Sequence, residues 1–595
     1  MTQDSQLAYS TRLADRRAQM GVLEGRDGNL SILRGLVFAI GFLAAITLGF
    51  SRAVTVVVVA LCAVVFVALV VIHENLARRL GRARRRVAFY ETALSRSRGD
   101  WVGQGETGAR FLDPAHPNAI DLDLFGRGSL YERLCVARTM AGQDQLAEWL
   151  KKGSPPLELV ARHSAVTELG PLLDLREDLA VLGAEARRAV DSEALRRWAI
   201  SAPVQAPAGL QVAAFASSFA VLVALAGWGL DFWGAWPFQA ALLLIFACTW
   251  MGRSFSRDVL EGIGRPVQDL RTLTELFDRI GAERFQARRL EELHQALLAH
   301  GQSPAQPIAQ LGRWLEIHDS KGNVFFAILS FLLVWDVQLS VAVEGWRRRF
   351  GVHIPEWLGA LGEIEALVSL GAYRFENPDD PYPEFEESGP CFDAEGLGHP
   401  LLPPSRVVRN DVRLDGERQM LVITGSNMSG KSTFLRTVGI NTVMALCGAP
   451  VRAVSLRLSP LVVGASIRIQ DSLQDGESRF YAEIKRVRQV LDLGAGDIPL
   501  LFLLDEIFDG TNSAERRVGA EAVVRALLNR KAIGLVTSHD LALADIAVSL
   551  MPRATNIHFE DHLEGGVMAF DYRIKPGPVG KGNALRLMRA VGLEV

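Results

Sequence analysis

The sequence predicts a chain in two parts. The first is an all-helical region that two pairs of apolar helices interrupt, and the second is an α/β domain over residues 386–595. Apolar runs in the second part, such as MLVITG and PLLFLL, end directly in glycine-rich or acidic residues, as buried parallel strands do at their ligand-binding edge. Four long runs without charge lie between residues 35 and 252. The rest of the first part has apolar residues at three- and four-residue spacing, which indicates helices.

Charge and cysteine content argue against several classes of protein. The formal net charge of the 595 residues is −3, so the chain lacks the overall positive field of many nucleic-acid-binding proteins. The five cysteines are scattered without CxxC spacing, which argues against a disulfide framework and a zinc site and indicates a reducing compartment. The N-terminal stretch MTQDSQLAYSTRLADRRAQM is polar and charged, unlike a secretory signal peptide.

The apolar runs form two close pairs. Residues 35–50 and 53–72 are separated only by Ser51 and Arg52, and residues 209–230 and 235–252 are separated by a short turn-rich stretch with tryptophans. A helix of about 20 apolar residues spans the roughly 30 Å hydrocarbon core of a bilayer. We therefore predict two transmembrane helical hairpins. The alternative is that the four runs are buried core helices of a large soluble protein.

Arginines after each pair predict the orientation. Six arginines lie between Arg78 and Arg86, and Arg253 and Arg257 follow the second pair, so the positive-inside rule places these flanks in the cytosol. We predict a multi-pass protein of the cytoplasmic (inner) membrane, in contact with lipid, whose C-terminal α/β domain lies in the cytosol. The apolar run 324–335 is too short for a fifth span, so we predict a core helix there.

These patterns divide the chain into six segments. The predicted segments are a cytosolic N-terminal segment (1–30), a first transmembrane hairpin (31–75), a helical connector (76–208), a second transmembrane hairpin (209–252), a helical core or lever (253–385) and an α/β domain (386–595).

The stretch GSNMSGKST after MLVITG predicts a phosphate-binding loop between a strand and a helix. Backbone N–H groups of such a loop surround phosphate oxygens, and the helix N-terminus adds its dipole. We expect Lys431 to reach the β- and γ-phosphates and Ser432 to ligate Mg²⁺. The predicted phosphate-binding residues are Gly425, Ser426, Asn427, Met428, Ser429, Gly430, Lys431, Ser432 and Thr433.

Two further strands are predicted to bring polar groups to the same edge. Asp505 and Glu506 follow PLLFLL, and His539 follows AIGLVTS. Asp505 is placed to hold Mg²⁺ through water, and Glu506 is the candidate base that orients the attacking water. His539 is placed to sense or polarise the γ-phosphate region. An ordinary structural role for two carboxylates beside an apolar core is disfavoured, since their burial is costly without a cation or water.

Together, GSNMSGKSTFLRTVG, LDEIFDGTN and TSHD resemble the ATPase domain of the MutS mismatch-repair family, which is related to ABC-type ATPases. Asn427 and Met428 within the loop match the hallmark of that family. The segments 398–414, 466–484 and 570–593 resemble further parts of the domain, and the upstream helices are weakly similar to the helical core and lever of the family. The N-terminal mismatch-binding domain of the family has no counterpart.

The resemblance implies a P-loop ATPase that binds ATP and Mg²⁺ and acts as a homodimer. It also implies that Ser478 binds the γ-phosphate of the partner's ATP. Glu477 and Arg479 depart from the usual neighbours of that serine in the family. Phe89-Tyr90-Glu91 matches the letters of the Phe-x-Glu mismatch wedge, but its helical surroundings indicate a coincidence.

Three functions remain open from the sequence. The first is a membrane-anchored MutS-type ATPase in which ATP binding and hydrolysis move helical levers, with DNA binding and a role in mismatch repair left open. The second is an ABC-like membrane mechanoenzyme or transporter-type ATPase without a nucleic-acid role. The third, a non-hydrolysing scaffold, is disfavoured because Lys431 and Glu506 are both present. The basic stretch 78–97 is interpreted as a lipid anchor, with DNA or RNA contact as the alternative.

Overall fold

The fold is described from a computed structural model. The structure describes residues 2–46, 52–189, 191–264, 270–298, 303–320, 324–426, 428–468, 479–508, 512–539, 541–564 and 567–579. Asn427 and Ser478, two of the predicted site residues, lie outside these ranges.

The α-helices before residue 384 form the first part of the chain. They are α1 (Thr2–Ile46), α2 (Arg52–Arg98), α3 (Leu130–Leu134), α4 (Met140–Lys151), α5 (Pro156–Leu169), α6 (Leu173–Ala189), α7 (Ser192–Ile200), α8 (Leu210–Gly229), α9 (Trp236–Gly264), α10 (Arg271–Gly281), α11 (Arg288–Leu298), α12 (Ala305–Asp319), α13 (Val324–Leu332), α14 (Trp335–Phe350) and α15 (Ile354–Glu376). Side-chain caps begin α3 and α4, where the hydroxyl groups of Ser129 and Thr139 accept hydrogen bonds from backbone N–H groups.

The second part begins at Glu384, eight residues after α15 ends. Its elements are β1 (Glu384–Phe385), β2 (Phe392–Leu397), β3 (Asn410–Leu414), β4 (Met420–Thr424), α16 (Lys431–Cys447), β5 (Ser455–Leu458), β6 (Val462–Ser466), α17 (Arg479–Leu493), β7 (Leu500–Leu504), α18 (Ser513–Asn529), β8 (Ile533–Ser538), α19 (Leu541–Ser549), β9 (Ala554–Glu564) and β10 (Val567–Pro576). The predicted order of a helical region followed by an α/β domain is confirmed.

Two sheets organise the α/β domain. A six-stranded sheet has the order β10-β9-β4-β8-β7-β6, in which β4 pairs in parallel with β8 and β9, and β8 pairs in parallel with β7. A four-stranded sheet has the order β1-β5-β2-β3. Every residue of β4, β7 and β8 is buried, which explains their unbroken apolar sequences. The parallel pairing brings the carboxyl ends of these three strands to one edge.

The first apolar pair belongs to two long antiparallel helices, α1 and α2. Each helix runs without a break through the segment boundary predicted at residues 30 and 75. In the most apolar 18 residues of each helix, none is buried. Among the described residues, the apolar half of this hairpin therefore packs only between α1 and α2 and leaves its side chains largely exposed.

The arginine-rich part of α2 binds acidic residues of the protein itself. Arg82 pairs with Glu185 of α6 and Glu275 of α10, with Nη2 to carboxylate oxygen distances of 3.0 and 2.7 Å. Arg86 pairs with Glu177 of α6 at 2.9 Å. These arginines thus hold the hairpin against the helical core. From the sequence, the basic stretch is interpreted as a lipid anchor or a nucleic-acid contact, whereas these arginines form ion pairs within the protein.

The Phe-x-Glu sequence in α2 is part of this internal packing. Phe89 and Tyr90 are buried, and the Tyr90 hydroxyl donates to Glu177 Oε2 over 2.7 Å. Glu91 accepts a hydrogen bond from Arg17 of α1 over 2.6 Å. These internal contacts support the interpretation of the match as a coincidence, which stays a prediction.

The second apolar pair, α8 and α9, is more closely integrated. By length and composition, four helices in the described ranges could cross a membrane, within Asp4–Ile46, Val56–Arg98, Leu210–Gly229 and Trp236–Ile263. In the most apolar 18 residues of α8 and α9, 39% and 28% are buried, partly against α14. Membrane crossing itself stays a prediction.

The apolar helix α13 differs from its prediction as a core helix. Ile328, Leu329 and Phe331 are 58%, 48% and 44% exposed, while Ser330 is buried. The chain bends by 74° between this helix and the helical segment that begins at Trp335. The prediction is wrong for the outward face, because the short helix lies on the surface and only one side of it contacts the protein.

Candidate nucleotide-binding site

The loop after β4 has the backbone geometry of a phosphate-binding turn. Gly425 and Gly430 adopt φ angles of +154° and +105°, which disfavour any other residue. A Cβ atom on Gly425 would lie 2.8 Å from Ser429 Oγ and 3.0 Å from the carbonyl oxygen of Phe559. Helix α16 begins at Lys431, so its N-terminal N–H groups face the concave side of the loop, as anion binding requires.

Lys431 lies beneath this loop and is only 5% exposed. Its Nζ donates to the carbonyl oxygens of Gly425 and Ser426 over 2.9 and 3.0 Å, and it lies 3.5 Å from Glu506 Oε1. A buried ammonium group held mainly by carbonyl groups is poised for an anion, because a phosphate oxygen would be a stronger partner than either carbonyl.

The acidic pair follows β7, as predicted. The Asp505 N–H donates to the carbonyl oxygen of Ser466 over 2.9 Å, and the Thr537 hydroxyl donates to Asp505 Oδ1. The same hydroxyl accepts from the Glu506 N–H over 3.0 Å. Burial raises the pKa of Asp505, and hydrogen bonds from Ser432 and Thr537 oppose that rise only in part. Thr537 was not predicted; its place in TSHD, at the end of a strand beside β7, was the available signal.

His539 lies near the same carboxylate. Its Nδ1 is 3.7 Å from Glu506 Oε1, and it follows β8, the strand between β4 and β7. Glu506 itself has a φ of +46°, an unusual conformation for a residue with a side chain. The backbone thus turns sharply where the carboxylate meets Lys431 and His539.

A cavity of 830 Å³ joins most of these groups. Its lining includes Lys431, Ser432, Thr433, Asp505 and Glu506. It also includes side chains that the sequence did not single out, among them Leu397, His399, Leu402, Val407, Phe559 and Tyr572. The volume is in the range of small-molecule and cofactor sites.

His399 is a buried titratable group in the lining of the cavity. Burial, assisted by the charge of Arg436, lowers the pKa of His399 to about 4. Its Nδ1 accepts a hydrogen bond from the Leu401 N–H over 3.3 Å, which requires an unprotonated Nδ1. The ring is therefore neutral at physiological pH.

The donor set fits magnesium and a polyphosphate. Among the described residues, the buried hydroxyl oxygens of Ser426, Ser429 and Ser466 have no hydrogen-bond partner. Ser432 and Asp505 supply hydroxyl and carboxylate oxygens side by side, which are ligands that Mg²⁺ accepts. No cluster of three or more His, Cys, Asp or Glu side chains suited to a metal occurs in the described ranges, which agrees with a cation held mainly by phosphates and water.

A loop of the helical region, residues 115–123, contacts this site from behind. Asp121 Oδ1 accepts from the N–H groups of Ile467 and Arg468 over 2.7 and 2.8 Å, and its Oδ2 accepts from Arg486 of α17 over 2.5 Å. The backbone carbonyl of Asp121 accepts from Arg436 Nε over 3.0 Å. Arg436 lies one helical turn after Ser432, and Ile467 and Arg468 lead into the segment that contains Ser478. The helical region is thus linked both to α16, which follows the glycine-rich loop, and to the residues that follow β6.

The α/β domain has similarity to known proteins. Residues 421–594 match the sequence profile of MutS domain V. Endonuclease MutS2 of Thermus thermophilus is 31% identical to this chain over 248 residues, which are 40% of this chain and 31% of that protein. The chain therefore spans about a third of the length of that curated relative. Both similarities lie in the C-terminal part of a chain of 595 residues or cover less than half of it, and the profile match shows that the α/β domain is similar to MutS domain V.

Proposed function

We propose that this protein is a membrane-anchored ATPase of the MutS type that converts ATP binding and hydrolysis into movement of its helical region. The convergence of Lys431, Ser432, Asp505 and Glu506 on one cavity carries the proposal. These four side chains come from two neighbouring motifs, and each has the charge or hydroxyl group that phosphate and Mg²⁺ require.

The roles follow from the positions of the groups. Mg²⁺, when bound, would supply positive charge that offsets part of the negative charge of the phosphate groups. The ammonium group of Lys431 would exchange its two carbonyl contacts for phosphate oxygens. Ser432 and Asp505 would hold the cation, and Glu506 would orient the attacking water and accept its proton. His539, beside Glu506, would contact the γ-phosphate region.

ATP turnover by the purified full-length protein tests this proposal. We expect Glu506→Gln to retain ATP binding and to lose most of its hydrolysis, because the amide cannot accept a proton. Glu521→Gln is the matched control, since Glu521 lies on α18 and pairs with Arg525, away from the cavity. Equal turnover by wild type and Glu506→Gln would contradict the assignment of Glu506.

We further propose that two copies share their sites, with Ser478 of one copy acting on the ATP of the other. The resemblance of residues 466–484 to the corresponding segment of the MutS family supports this proposal. Mixing Ser478→Ala and Lys431→Ala subunits should restore part of the turnover that each variant lacks alone. Failure of every mixing ratio to restore turnover would reject the shared site while leaving hydrolysis within one copy intact.

The proposed location is a membrane with the α/β domain in the cytosol. The exposed apolar surfaces of α1, α2, α8 and α9 support it, because soluble proteins rarely expose such continuous apolar area. Carbonate extraction of cell membranes is the test, and the protein should remain in the pellet. Release into the supernatant together with a peripheral control protein would contradict the proposal.

We propose that the movement of the helical region acts on DNA, on the basis of the similarity to MutS domain V and Endonuclease MutS2. A second candidate is a membrane mechanoenzyme without a nucleic-acid role. The ion pairs of Arg82 and Arg86 with α6 favour it, because they occupy the basic stretch that was the main candidate for phosphate contact. Binding of full-length protein to duplex DNA at two salt concentrations separates the two. Binding that weakens steeply with salt supports DNA, and no binding at low salt supports the second candidate.

A further inference from the structure

Helix α13 (Val324–Leu332) exposes a purely apolar surface next to the second hairpin. Ala327, Ile328, Leu329 and Phe331 face outward, while the polar residue Ser330 is buried toward the protein. In an ordinary water-exposed helix the polar side chain would face out and the apolar ones in. The inverted arrangement indicates that the surroundings of the outward face are apolar.

Contacts place α13 beside the apolar part of α9. A small cavity is lined by Thr249 of α9 together with Ala327, Ser330 and Phe331 of α13. Thr249 precedes the first charged residue after the apolar run, Arg253, by one helical turn. The helix therefore lies at the level where the apolar surface of α9 begins, on the side that carries the basic flank.

The start of α14 reaches the same level. Gln338 Nε2 donates to Ser218 Oγ of α8 over 3.3 Å, and Ser218 lies eight residues into that apolar helix. Val337 packs against Gly252 of α9, where a Cβ atom would come within 2.6 Å of its side chain. Helix α13 is bent by 74° from the helical segment Trp335–Glu376 that follows it, so the two do not form one straight helix.

We propose that α13 lies in the cytosolic leaflet of the bilayer beside α9 and forms one lipid-embedded unit with the second hairpin. The occupant of its outward face is the acyl chain region of lipid, because α13 contacts α9 within the apolar run, where Phe246 and Trp250 are 59% and 66% exposed. A helix satisfies its backbone hydrogen bonds internally, so a short one can lie in lipid without crossing it. This inference rests on the proposed membrane location.

Spin labels on the full chain in lipid nanodiscs test the proposal. Single cysteines at Ile328 and Phe331 are compared with Leu243 on the exposed apolar face of α9 and with Leu157, which is 89% exposed on α5. Only Cys62 needs replacement by alanine, since the other four cysteines are buried. Collision with oxygen, which concentrates in lipid, is measured against collision with a water-soluble nickel complex. Variants with altered elution in size exclusion are replaced by the neighbouring exposed position Leu329.

The expected result is an oxygen-dominated collision pattern at Ile328, Phe331 and Leu243 and a nickel-dominated pattern at Leu157. A nickel-dominated pattern at Ile328 and Phe331, with Leu243 still in lipid, overturns the proposal and leaves the membrane location intact. Protection of Ile328 and Phe331 from both reagents also overturns it, because protein would then cover α13. A nickel-dominated pattern at Leu243 rejects the membrane location and this inference together.

Discussion

Two regions of the molecule bury charged groups, and they treat them in opposite ways. Glu376, at the end of α15, accepts from Arg96 over 2.8 Å and from Arg133 over 3.1 Å, and all three side chains are almost fully buried. Burial alone would raise the pKa of Glu376, but the two arginines outweigh it and lower that pKa. In the nucleotide cavity, burial raises the pKa of Asp505, and three nearby serine hydroxyls are buried without described partners.

The difference separates a structural charge from a functional one. The Glu376 cluster is complete within the chain, since α2, α3 and α15 supply all its partners. In the cavity, the hydrogen bonds to Asp505 do not outweigh its burial, so the pKa of Asp505 stays raised. An unsatisfied buried charge is tolerated where a ligand completes it.

The largest effect on stability is expected from substituting Glu376, the carboxylate that the two buried arginines share. Glu376→Ala would leave Arg96 and Arg133 buried without their carboxylate and lower the free energy of unfolding by about 3–5 kcal/mol. Denaturant titration of the detergent-solubilised protein measures this, with the exposed Glu387→Ala as the control. A change at Glu376 no larger than that of the control would show that the cluster is not structural.

Lys431→Ala instead removes the buried ammonium group from the candidate nucleotide-binding cavity. We expect ATP turnover to fall by about 10²–10³-fold, because a preorganised positive charge at the transferring phosphate is lost. Stability without nucleotide should change far less than in Glu376→Ala. A large loss of stability with normal turnover would reverse the distinction between the two regions.

Asp121 provides a further test of this comparison. Both of its carboxylate oxygens accept hydrogen bonds, and it connects the helical region to the α/β domain. Asp121→Asn removes the ion pair with Arg486 and weakens the hold on residues 467–468. We expect turnover to fall by roughly tenfold with ATP affinity unchanged, which corresponds to a coupling free energy of about 1–2 kcal/mol. The exposed Asp497→Asn serves as the control, and restoration by Asp121→Glu would identify the carboxylate as the positioning group.

Asp505→Asn should change the free energy of unfolding in the direction opposite to Glu376→Ala. Removing a buried charge that has no cation partner should raise the free energy of unfolding of the nucleotide-free protein by about 1 kcal/mol while abolishing magnesium-dependent turnover. Thermal unfolding with and without Mg·ATP measures both effects. A destabilised nucleotide-free protein would mean that Thr537 and Ser432 already satisfy the carboxylate.

The smallest effect concerns pH. The pKa of His399 is lowered to about 4 in the folded state, whereas an unfolded histidine has a pKa of roughly 6.5. Below pH 6.5 the unfolded state binds more protons, so the stabilising contribution is complete above that pH and is lost as pH falls toward 4. Lowering the pH from 7.5 to 6.0 should lower the free energy of unfolding by at most about 1 kcal/mol. His399→Gln should lose this part of the pH dependence.

The sequence predicted the site better than its surroundings, for a physical reason. Lys431, Asp505 and His539 each follow an apolar strand within a few residues, so a local pattern and the rules of parallel sheets bring them together. The partners of Arg82 and Arg86 lie about a hundred residues further along the chain, and no local pattern reveals them. For α13, length alone suggested a core helix, whereas tertiary packing left its apolar face outside.

The arginine contacts also have a mechanical consequence for the first hairpin. About 30 residues separate the ion pairs of Arg82 and Arg86 from the N-terminal end of α2, which is roughly 50 Å of helix at 1.5 Å per residue. If the hairpin pivots about its contact with α6, a tilt of the hairpin by about 10° would displace its distal tip by about 8–9 Å, by the same geometry. A modest rearrangement near the nucleotide would reach the distal tip of the hairpin as a displacement comparable to the thickness of a helix.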